Sequence, residues 1–82
     1  MIYTKDERFL LRLYEMAVAR GDPKTPLNRE EVGASIKQSM RTVRTICVLL
    51  AQANFIEKES DDKVYLTDHG IKLVKQLLAQ KK

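Results

Sequence analysis

Apolar residues recur at helical spacing through most of this chain, and the pattern is sharpest between Ser39 and Asn54. There Val43, Ile46, Cys47 and Leu50 fall on one stripe, while Arg41, Thr45, Val48 and Gln52 fall on the opposite one, because each helical residue turns by about 100°. The spacing predicts a helix with a buried side and an offered side. Ser39 is placed to cap its first N–H groups, and Asn54 is a residue that tolerates the left-handed conformation ending many helices.

Three more helices are predicted around it. Thr4 followed by Glu7 forms a capping-box pattern, and Phe9, Leu10, Leu13, Tyr14, Met16 and Ala17 continue it up to about Arg20. With Leu11 and Val18 added, this first helix is apolar over more than half its circumference, which predicts burial against several neighbours or a second copy. Gly21-Asp-Pro-Lys-Thr-Pro26 ends it. Asn28 then reads as an N-cap with Glu31 as its reciprocal partner, and Leu27 and Val32 are placed as a hydrophobic staple. Val32 and Ile36 give the short helix one apolar edge, and Gly33 suits a close passage of another backbone. Lys37 and Gln38 leave a tight connection to the Ser39 helix.

After Asn54 the period changes. Phe55–Glu59 and Lys63–Leu66 are short strand-compatible runs around the turn-rich Ser60-Asp61-Asp62, which predicts a hairpin. Thr67 or Asp68 caps a last helix with Ile71, Val74, Leu77 and Leu78 on one face and Lys72, Lys75, Lys81 and Lys82 toward solvent or the C-terminal end. The expected architecture is mainly α with one small β-hairpin, in the order α-α-α-β-β-α, as a single domain over residues 1–82.

Charge changes this picture through its distribution more than its total of +4. From Val32 through Ile56 there is no acidic residue, while Lys37, Arg41 and Arg44 lie inside that window. Positive charge is concentrated on the central helix and its approach.

Other chemistries find little support. Cys47 is the single cysteine, so an internal disulfide and a cysteine-built metal site are excluded. His69 is the single histidine and is expected to be exposed and idle. The three glycines are isolated from one another, so there is no glycine-rich phosphate loop. Asp61 and Asp62 read as a turn, not a catalytic pair. A non-enzyme without cofactors is expected. No apolar run approaches the roughly 20 residues of a membrane span, and Met1-Ile-Tyr-Thr-Lys-Asp-Glu-Arg8 is too charged for a signal peptide, so a cytoplasmic protein without membrane contact is expected.

The order of elements, with Glu30-Glu-Val-Gly-Ala-Ser-Ile36, Ser39-Met-Arg-Thr-Val43, Leu50-Ala-Gln-Ala-Asn-Phe-Ile56 and Val64-Tyr-Leu-Thr-Asp-His-Gly-Ile71, resembles the winged helix-turn-helix domains. That resemblance implies binding of double-stranded DNA, with the third helix in the major groove and the hairpin beside a phosphate backbone. Carried over by position, it implies that Arg41 and Thr45 face base edges, with Arg44 at the groove wall. Lys37, Gln38 and Ser39 then meet phosphates near the helix start, and Met40 beside them is counted among the DNA-binding residues. Lys58 and Lys63 serve from the hairpin.

Independent chemistry agrees on the helix, since arginine's fork matches the O6 and N7 acceptors of guanine. The implied role is a sequence-specific transcriptional regulator, with a homodimer expected through the apolar first and last helices. The alternative is a winged-helix protein-interaction module within a larger assembly, favoured by the acidic hairpin tip and by Val48 and Leu49 on the same helix. Three departures from the family pattern stand out. Lys37 occupies a turn position often held by glycine, Gln38 stands where an apolar residue is common, and the hairpin tip is acidic. A distorted turn and a weakly contributing hairpin are therefore expected.

Overall fold

The computed structural model describes residues 3–80, which leaves Lys81 and Lys82 outside the described residues. Helix α1 runs over Lys5–Ala19, strand β1 over Leu27–Asn28, α2 over Arg29–Ser35, α3 over Met40–Gln52, β2 over Ile56–Lys58, β3 over Lys63–Leu66 and α4 over Asp68–Ala79. The described residues are mainly helical, with one antiparallel sheet of order β1-β3-β2.

The first strand is the element that the sequence pattern does not predict. Leu27 pairs with Val64 and Asn28 with Lys63, across β3 from the hairpin partner β2. Two residues carry no alternation, so only the tertiary pairing makes them a strand. Asn28 still caps α2, its side chain accepting from the N–H groups of Glu30 and Glu31 at 2.8 and 3.1 Å. The expected return bond from Glu31 is not formed; the Asn28 backbone is instead placed in the ladder opposite Lys63.

Helix starts follow their sequence signals closely. Thr4 and Glu7 form the full capping box, Ser39 accepts from Thr42 N–H, and Thr67 accepts from Gly70 N–H. Helix ends follow a shared pattern. The N–H groups of Gly21 and Asp22 reach Val18 and Ala17, those of Lys37 and Gln38 reach Ala34 and Gly33, and those of Asn54 and Phe55 reach Ala51 and Leu50. These are paired Schellman bonds around a left-handed residue, with φ of 108° at Gly21, 61° at Lys37 and 65° at Asn54. The α2–α3 turn is therefore regular. Lys37 adopts the conformation glycine would supply, and no distortion results.

Phe9, Leu10, Leu13 and Ala17 of α1 meet Val32, Val43, Ile46, Cys47, Leu50, Ile56, Val64, Leu66 and Val74 in one core. Fully burying each large aliphatic side chain contributes about 1.5–3 kcal/mol, so this cluster, not the three exposed ion pairs among the described residues, holds the fold together. Gly33 sits where α2 meets α3, and an added Cβ there would collide with Val43 Cγ2. The close neighbour is a side chain and not the backbone that the sequence pattern suggests.

The end of α3 and the start of α4 are tied to each other. Thr67 Oγ1 donates to Asn54 O at 2.6 Å, Thr67 N–H to Phe55 O at 3.1 Å, and Gly70 leaves room for the Phe55 carbonyl. His69 is exposed but not idle, since its ring stacks on Phe55 with centroids 4.7 Å apart. Lys24, in the α1–β1 loop, pairs with Asp68 in the first turn of α4; that hydrogen bond holds the Asp68 carboxyl below its usual range.

Much of the expected apolar girth of α1 and α4 is absorbed in the core. Val18 and Leu78 remain exposed. Leu78 departs from its expected buried face and lines a shallow cleft with Tyr3, Leu11, Tyr14 and Ile36. Among the described residues no helix is long and apolar enough to cross a membrane.

Candidate nucleic-acid interface

Helix α3 divides as its periodicity requires. Val43, Ile46, Cys47 and Leu50 are buried, whereas Met40, Arg41, Arg44, Thr45 and Val48 are exposed. Packing against α1, α2 and β2 holds the helix from behind, so its outer face is carried on a rigid support. On that face Arg44 Nη2 lies 3.2 Å from Met40 Sδ, and Thr45 Oγ1 donates to Arg41 O at 3.2 Å. Arg41 extends from the first turn.

At the helix start the candidates have distinct roles. Ser39 Oγ accepts from Thr42 N–H and donates to Thr42 Oγ1 at 3.0 Å, so its hydroxyl serves the cap first. Gln38 turns inward, its Nε2 donating to Lys5 O at 3.1 Å, which fastens the turn to the start of α1. Lys37 points outward. These residues border a cleft of about 390 Å³ whose rim also carries Lys5 and Arg8. Neither cation is singled out by sequence, because both belong to a helix read as support. First-turn N–H groups beyond the cap add a positive end to this rim.

The hairpin separates its two candidates. Lys58 pairs with Val64 in register, so it shares the inward face of the sheet with that buried residue; Lys63, adjacent to Val64, takes the outward face. Only Lys58 stands beside α3, in a cleft of about 150 Å³ lined by Arg29, Cys47, Val48, Ala51, Ile56, Lys58 and Val64. Val48 therefore has two cations, Arg29 and Lys58, beside it in a cleft whose other walls are apolar. No family model, curated protein or solved structure matches this chain. What the face can do is argued from its geometry.

Arg29 is a third residue that sequence reasoning passes over. It sits among the capping residues of α2, where its only visible task is to begin the helix. Its N–H donates to Asp62 O at 2.8 Å, and Asp62 Oδ2 accepts from Asn28 Nδ2 at 3.3 Å. Half of the acidic tip is thereby folded back on β1 and α2. Asp61 lies 3.9 Å from Lys58 Nζ.

Cys47 is buried behind Val48, and burial pushes its thiol up to about 11 despite an opposing field from Arg29. A thiol held protonated in this way is a poor nucleophile at neutral pH. Among the described residues no group of three or more His, Cys, Asp or Glu side chains could hold a metal ion.

Proposed function

We propose that this chain is a winged helix-turn-helix protein that binds double-stranded DNA sequence-specifically, with α3 in the major groove, and acts as a transcriptional regulator. The observation that carries the reading is the outer face of α3, where Met40, Arg41, Arg44, Thr45 and Val48 are exposed together and flanked by cations at both edges. A helix offered in this way fits a groove about 12 Å wide, and its arginines supply forked donors for guanine. Lys37, Lys5 and Arg8 at one edge and Lys58 at the other suit the two phosphate walls. Lys63, on the outer face of the sheet, has the smallest part.

In this reading the chain performs no chemistry of its own and acts as a homodimer. Leu11, Tyr14 and Val18 share one stripe of α1, and Leu78 of α4 borders it; a second copy is the proposed cover. Sedimentation at micromolar concentration tests this, with a dimer expected and a monomer contradicting it.

The second reading, a protein-interaction module, is favoured by the exposure of Val48, Leu49 and Met40 at 55, 47 and 46%. Arg41→Ala separates the two. In a duplex reader it costs about 1 to 3 kcal/mol of binding and relaxes sequence preference. An unchanged preference would remove this arginine from base recognition.

A further inference from the structure

We propose that the notch between α3 and the β2–β3 hairpin is a phosphate site with Arg29 and Lys58 as its two cationic arms, seating one backbone phosphate of the bound duplex. This inference rests on the DNA-binding reading and adds to it a residue and a position that the α3 face alone does not supply.

Arg29 carries the argument. Its Nε is buried and has no hydrogen-bond partner among the described residues, although a buried guanidinium N–H without an acceptor is costly. The chain holds the residue there regardless, with its backbone N–H fixed on Asp62 O at 2.8 Å and its side chain lining the notch. Lys58 enters from the other side, brought inward by its pairing with Val64. Among the described residues its ion-pair partner is Asp61, solvent-exposed and distant at 3.9 Å, so the ammonium is weakly engaged.

The remaining walls are Cys47, Val48, Ala51, Ile56 and Val64, and no acidic residue among the described residues lines the notch. Two like charges thus converge on a pocket with apolar sides, where an anion is attracted more strongly than on an open surface. A phosphate oxygen can accept from the part of the Arg29 guanidinium that borders the notch, and the group's charge is balanced by the two cations lining it. Arginine's fork suits a tetrahedral oxyanion, while lysine acts as a point charge. Val48 lies one and two turns along α3 from Arg44 and Arg41. A phosphate seated beside it therefore fixes the helix against the groove wall next to the base-reading residues.

The test uses the full chain and two probes. Inorganic phosphate, added at constant ionic strength against chloride, is followed at the Arg29 Nε–H resonance. A saturable shift that Lys58→Met abolishes while the amide spectrum keeps its dispersion is expected, and a response no larger than that to chloride overturns the site. A selected duplex is then titrated against salt. Arg29→Gln and Lys58→Met each reduce the slope of log affinity against log salt by about one while sequence preference stays, and Arg29→Lys restores most of that slope.

Slopes unchanged in both variants overturn the proposal while leaving α3-mediated binding intact. If the unaltered chain binds no duplex at all, the functional reading falls by itself. The phosphate titration then decides the notch: a shift assigns it to a free phosphate group, and no shift overturns it.

Discussion

Gly33 and Val43 set the crossing of α2 and α3: the Val43 Cγ2 methyl occupies the space where any side chain at position 33 would begin. The placement of Arg41 and Arg44 depends on this contact, because the angle between the two helices decides where they point.

Gly33→Ala therefore sets two effects against each other. Alanine gains about 1 kcal/mol of helix propensity over glycine, whereas forcing a methyl into a filled site costs about 1–3 kcal/mol. Val43 is buried at 1% exposure and β-branched, so it cannot rotate aside easily. Net destabilisation of up to about 2 kcal/mol is expected by chemical denaturation. Val43→Ala combined with Gly33→Ala should show a favourable coupling, since the second change removes the obstacle met by the first.

Lys37→Gly should move stability the other way. A non-glycine residue at φ 61° carries a steric cost, of about 1–2 kcal/mol in the left-handed region, partly offset by glycine's greater freedom when unfolded. A gain of about 0.5–1 kcal/mol is expected in the denaturation midpoint. If Lys37 meets a phosphate, the same variant binds duplex with a salt slope smaller by about one. A more stable protein that binds less tightly would identify a lysine held in the turn for its charge.

The capped helix starts, the inward stripe of α3 and the left-handed Asn54 were legible in the sequence because each depends on residues a few positions apart. What was not legible depends on distant partners. Strand β1 exists through Val64 and Lys63, and Asp62 is drawn from the hairpin tip toward Asn28 by a contact 34 residues away in the chain. Lys58 and Lys63 look equivalent in sequence, yet register places them on opposite faces of the sheet. Arg29, Lys5 and Arg8 join the interface through folding alone. His69 likewise owes its place to Phe55, and no local pattern announces a stacked ring.

Cys47 gives the protein a defined response at high pH. Its thiol is raised from 9.0 to about 11 by burial, so the unfolded chain ionises first. The associated stability is fully present below pH 9.0 and declines as pH rises toward about 11. Cys47→Val should remove that component, and the difference between the two denaturation curves across this range isolates it from tyrosine and lysine titration. Native Cys47 should also react slowly with a thiol reagent at neutral pH, with the rate rising sharply under denaturing conditions.

The most direct measurement for α3 as a reader of duplex DNA is selection of the full chain against a random duplex library, followed by a salt titration of the enriched sequence. A single enriched motif is expected, with affinity that falls steeply between low and physiological ionic strength and a preference that Arg41→Ala relaxes. No enrichment, or an affinity flat across that range, would contradict it and favour a protein partner on Val48 and Leu49.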